Sequence, residues 1–283
     1  MRKSMKRRRI AGNVVAEIAL ILLSVIWLIP IVWIVLQAFR KEPGALTYTF
    51  FPQELTLGNF TTLFKETMFG RWFLNTFFVA LASCVLSTII TLMVAYAMSR
   101  FRFKARKPFM KIALILGMFP GFLSMIAVYF ILKLVGLTGP MAVPGLILVY
   151  IGSAGMGYYV SKGFFDTIPR SLDEAARIDG ASRSTVFYRI ILPLSGPIVI
   201  YTVMMAFIAP WGDYMYASLI AFGNESAYNV AVGLYTFLDR EHINNYFTVF
   251  CAGGLLVAVP VTALFLLLQR YYVEGVTGGA VKG

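Results

Sequence analysis

The chain has 283 residues, of which 59% are hydrophobic and 13% charged, and its mean hydropathy is +0.77. So little charge in a chain of this length excludes an ordinary soluble enzyme and makes lipid the expected solvent. The formal net charge of +12 would suit a nucleic-acid binder, but the basic residues gather beside apolar runs, a pattern that sets membrane topology instead.

Six apolar runs are long enough to cross a hydrocarbon core of about 30 Å, which takes roughly 20 helical residues. They are Val14–Ala38, Trp72–Ser99, Phe109–Leu132, Ala142–Phe165, Gly196–Phe222 and Phe247–Leu268. Alternation with a period of two is absent, which argues against a transmembrane barrel. The expected fold class is all-α: a polytopic membrane protein with six transmembrane helices. Residues 1–13 form a basic N-terminus, 14–268 the six-span domain and 269–283 a tail, with a polar loop at about 166–193.

In chain order, Arg2, Lys3, Lys6, Arg7, Arg8 and Arg9 precede the first span. That run is too long for a signal peptide, carries Pro30 and Trp33 late and lacks a small-x-small cleavage site, so it is expected to stay as a span. Arg100, Arg102, Lys104, Arg106 and Lys107 lie between spans two and three. Lys162, Arg170, Arg177, Arg183 and Arg189 fall at or after the end of span four. The opposite loops hold only Arg40, Lys41, Lys65, Arg71, Lys133 and Arg240. The bias places both termini in the cytoplasm of a multi-pass protein of the cell membrane, with anionic lipid near the basic loops and no nucleic acid as partner.

Within the spans, Pro120 removes a backbone hydrogen bond and is expected to kink the third. Gly117, Gly121, Gly152, Gly155 and Gly157 are expected to let helices approach closely. Cys84 and Cys251 fall inside spans, and two Cys with one His offer neither a disulfide scaffold nor an obvious zinc site. Asp213, after Pro210-Trp211-Gly212, is an intramembrane carboxylate and so a candidate gate residue, a structural partner, or the relay of a proton-coupled carrier. Tyr129, Tyr150, Tyr158, Tyr159, Tyr201 and Tyr214 suggest sugar platforms, but interfacial belts and packing account for most aromatics here, so none is nominated.

The polar loop is the most informative stretch. Ser171 and Glu174 have the Ser-x-x-Glu spacing of a capping box, with Asp173 and Glu174 near the positive end of the helix they open. Gly180 is placed to end that helix in the left-handed conformation. Ser182 or Ser184 is placed to cap a second helix, on which Val186, Phe187, Ile190 and Ile191 give an apolar stripe, and Pro193 is expected to break the chain before span five. The expected product is a helix, a turn and a helix on the membrane surface. Small residues on the first helix, Ala175 and Ala176, suit either insertion into a partner's groove or rest on lipid headgroups. No Gly-x-x-x-x-Gly-Lys-Ser/Thr unit occurs, so any ATP is bound by another chain.

The run Glu174-Ala175-Ala176, three residues, Gly180, nine residues, Ile190, one residue, Leu192-Pro193 resembles the signature of permease subunits of ATP-binding-cassette (ABC) importers. Phe73-Leu74-Asn75-Thr76, Met118-Phe119-Pro120, Trp211-Gly212-Asp213 and the ending Val273 to Gly283 are similar to the maltose-type carbohydrate branch. The resemblance implies a type I ABC importer permease fold with a coupling helix, and a subunit that is no enzyme. It implies as partners a second permease, two ATPase subunits and an extracellular sugar-binding protein, with ATP and Mg on the ATPase and no cofactor on this chain. Glu174, Ala175, Ala176, Asp179, Gly180, Ile190, Leu192 and Pro193 would then form the ATPase-coupling element. The outer segment Leu238, Asp239, Arg240, Glu241, His242, Ile243, Asn244, Asn245 and Tyr246 matches in position a loop that enters the binding protein, though not residue by residue. The glycine-rich tail would enter the ATPase interface.

Overall fold

In the computed structural model the described residues are 2–44, 49–154, 157–239 and 241–280, with side chains described from 12 to 271 within them. In chain order the helices are α1 (Arg2–Ala38), α2 (Gly58–Lys65), α3 (Phe69–Arg100), α4 (Arg106–Gly117), α5 (Gly121–Leu134), α6 (Ala142–Ala154) and α7 (Tyr158–Thr167). There follow α8 (Ser171–Ile178), α9 (Arg183–Val186), α10 (Leu192–Leu194), α11 (Gly196–Ile208), α12 (Met215–Ala221), α13 (Val230–Tyr235) and α14 (Ile243–Ala280). Among the described residues there is no strand, only an isolated bridge between Arg40 and Leu55.

Four helical stretches are long and apolar enough to cross a membrane: Gly12–Ala38, Phe69–Arg100, Gly139–Thr167 and Ile243–Tyr271. Two bent pairs, Arg106–Gly117 with Gly121–Leu134 at 103° and Arg183–Leu194 with Gly196–Trp211 at 85°, bring the number to six when each counts as one span. The all-helical, six-span expectation therefore holds, with two spans broken. Pro120 does more than kink the third: it stands outside the helix with ψ 125, and α5 starts afresh after it. The fifth expected span, Gly196–Phe222, is interrupted. α11 stops at Ile208, a 3-10 turn follows over Ala209–Trp211, and α12 begins only at Met215. Pro210 and Gly212 inside an apolar run are the physical cause. The sixth helix runs on through the expected tail to Ala280, and residues 281–283 lie outside the described residues.

The chain divides into two compact units, 1–67 with 234–256, and 68–233 with 257–283. In the first, the segment after α1 is pinned by Arg40, buried at 1% exposure, whose guanidinium donates to Thr49 Oγ1 at 3.1 Å and to the carbonyls of Thr49 and Phe50 at 2.7 and 3.2 Å. Asn59 on α2 donates to the carbonyls of Ala38 and Arg40 and accepts from Thr248 Oγ1. Ala38, Cys251 and Ala252 form the small core.

The second unit is built around α3, which packs along α6, α7 and α11. Its buried positions include Thr76, Ala80, Ser83, Ser87, Thr91, Ala95 and Ser99, small residues that permit close helix approach. Ser87 Oγ and Thr91 Oγ1 donate to the carbonyls of Tyr150 and Ala154, one helical turn apart on α6. At the other end of α3, Asn75 Nδ2 donates to the carbonyls of Ser226 and Tyr228, Trp72 Nε1 to that of Glu225, and Thr76 Oγ1 accepts from Val230 N.

The glycines expected to mediate close packing do not do so. A Cβ added at Gly117, Gly121 or Gly152 meets nothing within 4 Å, and one at Gly157 meets only the Ala154 carbonyl at 3.6 Å; Gly155 lies outside the described residues. Gly117 and Gly152 instead line an apolar groove of about 750 Å³. Close approaches occur instead at Gly145, against the Leu137 carbonyl, at Gly233, against the Trp72 ring, and at Gly253, against the Leu234 side chain. Both cysteines are buried free thiols.

Candidate functional site

The loop between α7 and α11 folds into two short helices. Ile168 is extended (ψ 126), as expected before a proline, and Pro169 and Arg170 start the turn that becomes α8. The capping box does not form. Arg170 is the residue before the helix, Ser171 is already helical, and no side chain caps the start. Pro169 moves the helix start one residue upstream of the position the Ser-x-x-Glu spacing implies, so Glu174 N donates to the Arg170 carbonyl and the Glu174 side chain is left exposed.

The end of α8 is as expected. Gly180 has φ +84; its N–H donates to the Arg177 carbonyl and that of Ala181 to the Ala176 carbonyl, the paired bonds of a Schellman turn. Ser182 Oγ accepts from Thr185 N at 3.1 Å and opens α9. The chain continues through a π-turn, Phe187–Ile191, into α10, and Pro193 sits inside this stretch; the 85° bend follows at Ser195. The second helix does not lie loose on the surface. Val186, Phe187 and Ile191 are buried in a cluster with Tyr96, Tyr158 and Phe165, and Ile190 and Leu192 pack against it.

α8 has two faces. Asp173 and Ala176, three apart, point inward; Ala176 packs on the cluster. Glu174, Ala175, Ile178, Asp179 and Gly180 are exposed, with Ile178 at 87%. An isoleucine that far out of a polar loop, beside an exposed alanine, is an unpartnered apolar surface.

The inward face brings Asp173, read from sequence for helix polarity, against Arg100 of α3, read for topology. Arg100 Nε lies 3.0 Å from Asp173 Oδ2, with side chains 4% and 16% exposed. Arg100 Nη2 also donates to the Ile168 carbonyl, and Arg170 Nη2 to the Ser99 carbonyl. Ser99 Oγ donates to Asp166 Oδ1 at 2.6 Å, and Tyr96 Oη to the Arg183 carbonyl at 3.3 Å. The Arg183 guanidinium stands 4.9 Å over the Phe101 ring. Tyr96, Arg100, Arg170, Asp173 and Arg183 line a polar cavity of about 380 Å³. The signal that would have found the pair is Arg100 at the end of an apolar run: at a buried helix end a charge needs a partner, and Asp173 is the acid on the inward face.

Asp213 sits in the break between α11 and α12. Its Oδ2 accepts from Tyr150 Oη at 2.5 Å and its Oδ1 from Tyr216 N, in the first turn of α12, at 3.0 Å. Asn229 Nδ2 donates to the carbonyls of Asp213 and Pro210 and holds the break closed. In the outer segment, Asp239, Glu241, His242, Asn244 and Asn245 are exposed, while Leu238, Ile243 and Tyr246 are half-buried; Arg240 lies outside the described residues. Tyr246 stacks on buried Phe237.

Residues 87–277 match the family described as binding-protein-dependent transport system inner membrane component. Over 287 aligned residues the chain is 35% identical to the galactooligosaccharides transport system permease protein GanQ of Bacillus subtilis, covering 100% of both. It is 36% identical to the maltodextrin transport system permease protein MalD of Streptococcus pneumoniae, again over 100% of each. A crystal structure of a bacterial ABC transporter involved in import of the acidic polysaccharide alginate contains a chain that superposes with TM-score 0.77 at 22% identity, covering 93% of this chain and 97% of that one.

Proposed function

The chain belongs to the family of binding-protein-dependent transport system inner membrane components, and from that membership we propose that it is one permease subunit of an ATP-driven carbohydrate importer. It pairs with a second permease, and each seats its loop helix on one of two ATPase subunits that hold the ATP and Mg. A sugar-binding protein delivers cargo on the outer side. The chain performs no covalent chemistry; it forms part of the path and passes ATPase closure into the membrane. The distribution of Arg and Lys supports placing both termini, and the α7–α11 loop, in the cytoplasm.

The observation that carries the reading is the exposed face of α8, with Ala175 and Ile178 uncovered and Gly180 turning the chain sharply behind them. It fits a helix presented to a protein groove. Ile190, Leu192 and Pro193 belong to the support of that helix: two of them pack on the apolar cluster beneath it. The exposed acids and amides of 239–245 suit contact with the binding protein. Maltodextrins and related oligosaccharides are the favoured cargo, since relatives named for them match end to end; another carbohydrate, or a polyol or glycerol phosphate, is the alternative.

The test is Ala175→Trp. Gly180 is unsuitable, because any side chain at φ +84 disturbs the turn itself. Ala175 is exposed, so tryptophan there leaves α8 folded and blocks its seating. The expected outcome is a permease pair that still inserts but no longer co-purifies with the ATPase, with uptake lost. Normal ATPase capture and normal uptake in this variant would remove the docking assignment.

A further inference from the structure

The loop is joined by the chain to α7 and α11, yet its polar side-chain ties run to a third element. Asp166, Ile168, Arg170, Asp173 and Arg183 all bond to, or stack on, the stretch of α3 and its end between Tyr96 and Phe101. On α8 itself the apolar contact with the buried cluster is made by the small side chain of Ala176. The polar connection from α8 itself is the part-buried ion pair, with Arg100 Nε 3.0 Å from Asp173 Oδ2, and Arg100 is held a second time by the Ile168 carbonyl.

We propose that the Arg100–Asp173 pair is a positioning strut that carries displacement of α8 into α3, so that α3 moves with the ATPase ahead of the spans adjoining the loop in sequence. The inference rests on the docking reading above. α3 is suited to pass the movement on: Ser87 and Thr91, bonded to α6, also line a cavity of about 310 Å³ with Tyr150, Ser161, Tyr201 and Thr202. A shift along α3 therefore changes the shape of this cavity, which hydroxyl groups line together with Ala154, Val160 and Met205.

Asp173→Asn keeps the shape of the side chain and removes its charge. In the full complex, in proteoliposomes with the loaded binding protein, ATPase capture and hydrolysis should stay within about twofold of wild type while uptake per ATP falls at least about fivefold, the low end of usual coupling effects. Asp173→Glu should restore most of the ratio. A purely structural role lowers hydrolysis and uptake together and leaves their ratio unchanged; that result overturns the strut. A second measurement needs no change in the pair. Spin labels at exposed Ser184 and Leu86 should keep one separation in nucleotide-free and ATP-bound complexes, because loop and α3 move as one body. A separation that changes with nucleotide overturns the proposal. Failure of the unaltered chain to hold the ATPase through the loop removes the docking reading, whereas normal capture with an unchanged ratio removes the strut alone.

Discussion

Two aspartates show how partners decide what a costly carboxylate does. Asp173 is matched by a cation on another helix, which makes it a tie between α8 and α3. Asp213 is met by a phenol from α6 and a backbone amide of α12. Tyr150→Phe removes the shorter of those bonds without changing packing. Bonds to charged groups contribute about 1.5–3 kcal/mol, so the purified protein should melt at a distinctly lower temperature, read by thermal unfolding in detergent. An unchanged midpoint would mean that another donor replaces Tyr150. The sequence marks Asp213 as special because a carboxylate in an apolar run is rare, but its partners come from α6 and α12 and cannot be read from spacing. Arg100 and Asp173 were hidden differently: each has an adequate local explanation, topology for one and helix polarity for the other, which conceals their pairing.

At the scale of elements, hydropathy locates apolar runs but does not record whether the backbone hydrogen bonds continue through them. α3 keeps close to its expected bounds, and α1 ends at Ala38 as expected but starts at Arg2, twelve residues before Val14, and runs on through Pro30. Pro120 and Pro210 do interrupt theirs, and the first produces a 103° turn that a kink does not describe. The glycines mislead for a related reason: a missing Cβ permits close approach but does not bring a neighbour, and Gly117 and Gly152 face a groove. Local chemistry reads best in the α8–α9 turn, where Gly180 and Ser182 act as their types require. The start of α8 shows the limit, since Pro169 overrides a well-spaced capping box. Ser182→Ala should cost about 1 kcal/mol of α9 stability. Hydrogen exchange at the Thr185 amide should then speed about fivefold while amides in the middle of α3 keep their protection. Equal acceleration in both would mean that the loop and α3 open as one cooperative unit.

For the molecule as a whole, the question is where the energy for transport enters. A conformational equilibrium shifts only as far as some ligand binds its two states differently, so an importer needs either a coupled ion or a nucleotide-driven partner. Asp213 is an intramembrane carboxylate that a proton relay could use, and both its oxygens are already bonded, to Tyr150 Oη and the Tyr216 amide. The chain carries no phosphate-binding loop of its own, while α8 presents an uncovered face backed by a buried ion pair. These features fit the proposed nucleotide-driven partner. With ATP held constant inside proteoliposomes, a protonophore should leave the initial rate of uptake unchanged, and removal of ATP should abolish it even with a proton gradient imposed. Uptake that follows the gradient would return Asp213 to the centre of the mechanism, because breaking its bond to Tyr150 would then be the event that opens the α11–α12 break. ATP dependence instead places the source of motion at α8, some distance in the chain from the apolar path it must change, which is why the contacts between the loop and α3 matter as much as the helix that docks.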